Sequence, residues 1–119
     1  MILNYTDLAD GVRKIDLTGR LDIEGADAIG LRFTALTCTQ QTYVIVDLAG
    51  VEFLASVGIA TLVRNAKAAR LRRGNMVLLN PRPNVAQVLA STRIDQVLLV
   101  CRTMEEAQAA VLAAPPALS

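Results

Sequence analysis

Apolar residues fall along this chain in two periods. Val44-Ile45-Val46-Asp47-Leu48 is a β-branched and aliphatic run that predicts a strand covered on both faces. Beyond Gly58 the period changes. Ile59, Leu62, Val63, Ala66 and Ala69 recur at helical spacing, with Arg64, Lys67 and Arg70 on the opposite side. Ala49 to Gly58 reads as the turn between them, and Ser56 falls at the junction, where a helix N-cap belongs.

The flanking segments follow the same logic. Ile2 to Thr6 and the Val12, Ile15, Leu17 segment are strands separated by Asp7-Leu8-Ala9-Asp10-Gly11, whose Asp-Gly pair predicts an antiparallel hairpin. Gly19 is expected to end the second strand in a tight turn. Asp22 is a candidate cap, or alternatively a functional acid, before a helix of roughly four turns carrying Ala26, Ile29, Leu31, Phe33 and Leu36. Gly25 and Gly30 are expected to weaken that helix by about 1 kcal/mol each relative to alanine. Cys38 to Thr42 is a polar connector. The central helix closes on Arg70-Leu71-Arg72-Arg73, and Gly74 is the expected left-handed residue after it. Those arginines suit the negative end of the helix dipole; an acidic partner or lipid headgroups are the alternative.

Met76 to Leu79 is a buried strand, stopped by Asn80-Pro81-Arg82-Pro83-Asn84. Val85, Val88 and Leu89 mark a short helix, and Gln96 to Val100 the last strand. Thr103 is a cap, with Glu105 and Glu106 in the first turn of a closing helix along Ala107, Ala110, Val111 and Ala114. Pro115-Pro116 end it and leave a frayed tail over 115–119. The alternation predicts one α/β domain over 1–114: a mixed, mainly parallel sheet with an N-terminal antiparallel hairpin and about four flanking helices.

Composition narrows the chemistry. The chain of 119 residues has 53% hydrophobic residues, 3% aromatic residues, no histidine and a net charge of +1. That balance lacks the strongly basic footprint of a nucleic-acid binder. No run is long and apolar enough to span a bilayer, and the N-terminus lacks the pattern of a secretory signal, so a cytoplasmic protein is expected. Without histidine or a CxxC pair no metal site is expected; Cys38 and Cys101 read as small buried hydrophobes rather than a disulfide. No Walker loop, Gly-x-Gly-x-x-Gly or Gly-x-Ser-x-Gly occurs. A binding module without a cofactor is the expectation, not an enzyme.

Ser56 is the residue with most chemistry at hand. The first N–H groups of a helix lack internal partners and carry partial positive charge, so a serine oxygen there can cap them, and a phosphate on it is tolerated. Val46-Asp47-Leu48-Ala49-Gly50-Val51-Glu52-Phe53-Leu54-Ala55-Ser56-Val57-Gly58-Ile59-Ala60 resembles the signature of STAS domains of the anti-sigma-factor antagonist type, and Thr18-Gly19-Arg20-Leu21-Asp22 is similar to the family's upstream T-G-E-L-D element. The likeness runs from about Val12 to Val100.

The resemblance implies the STAS fold, and a partner switch in which Ser56 is the phospho-acceptor. It implies an anti-sigma factor that is also a GHKL-type serine kinase as partner, a PP2C-type phosphatase as eraser, and a partner-binding surface of Arg20, Leu21, Asp22, Leu54, Ala55, Ser56, Val57 and Gly58. Among the departures of this sequence from the pattern, Arg20 replaces an acid, Ala55 an aspartate, Val57 a Ser or Thr, and Ala60 a glycine. The alternative is a STAS subunit docked on an ABC-transporter ATPase without a phosphorylation cycle; a third reading, nucleotide binding, lacks a phosphate loop. Leu54, Val57 and Ile59 serve either docking, a homodimer included, or burial under the Leu21 loop.

Overall fold

The computed structural model describes residues 1–38 and 43–113. Most of the expected connector after Cys38, the residue Ala114 and the expected frayed tail lie outside the described residues. Five strands, β1 (Ile2–Asp7), β2 (Val12–Leu21), β3 (Tyr43–Leu54), β4 (Asn75–Leu79) and β5 (Val100–Cys101), lie side by side in chain order. β1 pairs β2 antiparallel, with Leu3 opposite Leu17, and every other pair is parallel. The hairpin turns where Asp10 (φ 62°) and Gly11 (φ 73°) both take left-handed geometry, the demand that Asp-Gly meets. The mixed, mainly parallel sheet with its antiparallel hairpin is therefore as the hydrophobic pattern predicts.

Four helices flank it: α1 (Ile23–Thr37), α2 (Ser56–Leu71), α3 (Pro83–Ser91) and α4 (Met104–Leu112). Alternation along the strands sorts them onto two faces. Leu17, Val44, Val46, Leu48 and Leu78 meet Ile29 and Phe33 of α1, Leu62 and Ala66 of α2, and Val85 and Leu89 of α3. Val12, Ile45, Val77 and Cys101 point the other way, onto Ala107 and Val111 of α4. That helix covers only part of its face; where it stops, Lys14 pairs with Asp16 and Asp47 at 2.7 and 3.3 Å. Thr103 caps α4 by accepting from the Glu106 N–H, as expected.

Several boundaries differ from the sequence pattern. Gly19 does not end β2; it lies inside the strand at φ 114°, where the pairing with β3 slips register. β3 continues through the expected turn to Leu54, because two such irregularities absorb one extra residue at Leu48-Ala49 and another at Glu52 without breaking the pairing. Asp47 holds the first in place by accepting from the Ala49 N–H at 2.9 Å. From the loop before α3 and its first turn, Arg82 and Asn84 donate to the carbonyls of Ala49 and Glu52 at 2.9 and 2.8 Å.

At the far end of α2 the left-handed residue is Arg73 (φ 65°), not Gly74. Gly74 and Arg73 donate to the carbonyls of Ala69 and Arg70, which is the paired closure of a Schellman motif, so the glycine falls one position beyond the left-handed site. Arg70 is not on the solvent face; its guanidinium reaches Asn75 Oδ1 at 3.2 Å and the Val97 carbonyl at 3.0 Å. The last strand is Val100–Cys101 rather than Gln96 to Val100, since Ile94–Gln96 form a 3-10 turn. Leu31, counted among the apolar positions of α1, is 90% exposed. Both cysteines are free; Cys101 is buried, whereas Cys38 is only half-buried, with Sγ 3.5 Å from Asn65 Oδ1.

Candidate functional site

β2 and β3 run parallel, so the turns that lead into α1 and α2 emerge at the same edge of the sheet. The strands hold them in contact. Arg20 pairs with Phe53 and Leu21 with Leu54, and the Ala55 N–H then donates to the Leu21 carbonyl at 3.0 Å. The segments Arg20 to Asp22 and Leu54 to Gly58 thus lie side by side.

Asp22 is the N-cap of α1. Its Oδ1 accepts from the Gly25 N–H at 2.9 Å, and its Oδ2 lies 3.3 Å from Arg20 Nε. The Gly25 N–H first, and the Arg20 guanidinium after it, hold this carboxyl below its usual range against the opposing pull of burial. The sign follows. A carboxyl depressed in the folded state contributes stability above its unfolded pKa and loses it as pH falls through the folded value. Arg20 also stacks on the Phe53 ring, 4.5 Å from its centroid. It is fixed from two sides and presents a cation where the family's motif has an acid.

Ser56 is not the N-cap. Ala55 takes that position, with φ −97° and ψ 169°, and no side chain caps α2. Ser56 is the first helical residue, exposed, and its hydroxyl makes no hydrogen bond to any described residue. The cap position thus lies one residue before the serine, and the capping reading of Ser56 falls away. The Ala55 carbonyl accepts from the N–H groups of Gly58 and Ile59 at 3.0 and 3.1 Å. An aspartate at position 55 has the backbone geometry to cap that turn. Ala55→Asp is expected to raise stability by about 1 kcal/mol, measured by urea unfolding; an unchanged midpoint would mean that the turn gains nothing from a cap.

The expected site residues divide by accessibility. Leu21, Leu54 and Gly58 are buried, and Val57 and Ile59 are half-buried and packed against the core, so burial under the Leu21 segment is the outcome for most of that apolar cluster. Gly58 is required. A Cβ there would meet the Leu21 carbonyl oxygen at 2.7 Å and Leu21 Cγ at 2.6 Å. The accessible part consists of Arg20, Asp22, Ala55 and Ser56, joined by two residues that sequence reasoning passed over: Ile23, 68% exposed, and Phe53, 39% exposed. Alternation would have pointed to Phe53, since it and Leu54 are neighbours in a strand and face opposite ways.

At the same edge a cavity of about 210 Å³ is lined by Asn80, Pro81, Pro83, Ala86, Val100 and Arg102, a set without a carboxylate or a nucleophile. Among the described residues no three His, Cys, Asp or Glu gather where they could hold a metal ion. No helix among them is long and apolar enough to cross a membrane.

Comparison with known proteins places this arrangement. The STAS domain model matches residues 6–107. An anti-sigma-factor antagonist (STAS) domain protein from Planctomyces limnophilus is 30% identical, covers 93% of this chain and 98% of its own, and superposes with a TM-score of 0.80. An anti-sigma factor antagonist from Mycobacterium paratuberculosis is 23% identical over 94% of each chain, TM-score 0.82. The Bacillus anti-sigma factor antagonist SpoIIAA in its unphosphorylated form is 21% identical, covers 92% of this chain and 96% of its own, and has a TM-score of 0.76. The phosphorylated form of SpoIIAA has a TM-score of 0.69 at 20% identity, over 92% of this chain and 99% of its own.

Proposed function

The chain belongs to the STAS domain family, and we propose that it acts as an anti-sigma-factor antagonist whose binding is switched by phosphorylation of Ser56. In this reading the partner is an anti-sigma factor that is also a GHKL-type serine kinase, and it docks in the cytoplasm on the edge where Arg20, Asp22, Ala55, Ser56 and half-buried Val57 are accessible, with Leu21, Leu54 and Gly58 buried beneath them. Docking displaces the sigma factor, phosphorylation releases the antagonist, and a PP2C-type phosphatase resets it. The protein is then a binding module and carries out no catalysis of its own.

The observation that carries the reading is the state of Ser56: exposed, at the first residue of a helix, with a hydroxyl engaged in no hydrogen bond to any described residue. A phosphate there adds about −1.5 to −2 charge at pH 7, beside N–H groups that a helix start leaves for anions. It need not disturb the domain, yet at an interface it brings repulsion and desolvation. A penalty of about 1.4 kcal/mol weakens binding tenfold.

Immobilised wild-type chain and Ser56→Asp are exposed to native cell lysate, and the retained proteins and their phosphosites are identified by mass spectrometry. Wild type is expected to retain a GHKL-type kinase, Ser56→Asp to retain at least tenfold less, and phosphate to appear on Ser56. Retention of an ABC-transporter ATPase, or of a partner indifferent to Ser56→Asp, would replace this reading with that of a docking subunit that has no phosphorylation cycle.

A further inference from the structure

Charge is segregated along this chain. No Asp or Glu stands between Glu52 and Asp95, and the whole of α2 lies inside that interval. On the outer face of α2, Arg64 and Lys67 are exposed and form no ion pair with any described residue. With Ala60, Val63, Ala68 and Leu71 they line an open groove of about 460 Å³. Leu71 is 86% exposed, although every large apolar side chain on the opposite face of this helix is in the core. The groove starts one turn beyond Ser56, since residues four apart are neighbours on a helix surface.

We propose that this face of α2 receives an acidic amphipathic helix of the partner protein, its apolar knobs seated over the alanines and its Asp and Glu side chains against Arg64 and Lys67. Two features select this occupant. The free cations, with no acid on α2 to neutralise them, ask for negative charge. Ala60 and Ala68 are small and leave a shallow, open floor between the longer Arg64, Lys67 and Leu71 side chains, so ridges of a second helix can seat there. A membrane-binding face needs several bulky apolar side chains standing proud, and here Leu71 alone does so. From Ala60 to Leu71 the face is about 16 Å long, the length of roughly three turns of a docked helix.

The proposal deepens the partner-switch reading, and rests on it in assigning one partner to both Ser56 and the groove. It also gives the switch a direction: a phosphate on Ser56 would stand at the end of a surface that selects acidic side chains.

The probe is a fluorescein-labelled peptide of about five helical turns with leucine along one face and glutamate on both flanks. Its controls are a lysine-flanked twin and vesicles of phosphatidylcholine and phosphatidylglycerol. Full-length wild type is expected to bind the glutamate peptide, with amide shifts centred on Ala60 to Leu71, and to ignore the twin. Arg64→Glu with Lys67→Glu is expected to weaken binding at least tenfold, Arg64→Ala with Lys67→Ala to fall between, and Ser56→Asp to weaken it severalfold. No binding of the glutamate peptide, equal binding by the charge-reversed variant, or preference for the vesicles would overturn the proposal. Failure of the partner-switch reading is distinguishable: peptide binding would stand while a Ser56→Asp bait kept its partner from lysate.

Discussion

Gly25→Ala is expected to destabilise the domain by about 3 kcal/mol, whereas Gly30→Ala, in the same helix, is expected to stabilise it by about 1 kcal/mol. By helix propensity alone both replacements should help. The surroundings decide otherwise at one of them. A Cβ on Gly25 would run into the Arg20 carbonyl oxygen and lie 3.1 Å from its carbon, which are backbone atoms that no rotamer change can remove. One on Gly30 would meet nothing within 4 Å. To admit the methyl, the segment from Arg20 to Asp22 must move off α1. That movement breaks the Asp22 cap and strains the Leu21 carbonyl that accepts from Ala55. The same change should therefore loosen the candidate site. Urea unfolding followed by circular dichroism is the measurement, and midpoints shifted in the same direction by the two variants would refute the steric account.

This pair also shows where sequence reasoning stops. Periodicity reports which face of an element is buried, and so the strands, the four helices and the hairpin were legible from Val44 to Leu48, from Ile59 to Ala69 and from Asp10-Gly11. Through-space distances leave no periodic trace. Gly25 looks like a defect in a helix until Arg20 is seen beneath it. Ser56 looks like a cap because serine often is one, yet β3 runs on to Leu54 and Ala55 takes the cap position, so the serine becomes the first helical residue. β3 outlasts its apolar run because Asp47, Arg82 and Asn84 bind the backbone at the irregularities in its register, and these partners are remote in sequence or act through a side chain that the pattern counts only as polar. For the candidate site the sequence offered residue numbers and not accessibility. Resemblance brought Arg20 to Asp22 together with Leu54 to Gly58, but which of them face solvent depended on burial, and that removed Leu21, Leu54 and Gly58 from the reachable surface.

The two helices whose N-termini carry the site are tied together at a distance from it, and Asn65→Asp is expected to break that tie in a pH-dependent way. Asn65 of α2 is 2% exposed and Thr37 of α1 is fully buried. The Thr37 hydroxyl lies 2.9 Å from both Asn65 Oδ1 and the Phe33 carbonyl, while Asn65 Nδ2 donates to the Thr61 carbonyl at 2.8 Å. An aspartate of the same shape can still accept from Thr37. Its second oxygen, however, faces the Thr61 carbonyl with no proton to offer once ionised. Burial and that carbonyl both favour the protonated acid, so the folded-state pKa rises above the unfolded value of about 3.9. A raised carboxyl pKa means that the charge-dependent penalty is absent below the unfolded pKa and grows as pH rises, by about 1.4 kcal/mol per unit, until the folded pKa is reached. Asn65→Asp should thus fold nearly as well as wild type near pH 4 and be less stable by about 3 kcal/mol or more at pH 7, in keeping with an uncompensated buried charge. Equilibrium unfolding at several pH values reads this directly, and a stability difference independent of pH would mean that water reaches the carboxylate between α1 and α2. In that case the α1–α2 seam is open to solvent, and the relative position of Asp22 and Ser56 is set by the β2–β3 pairing alone.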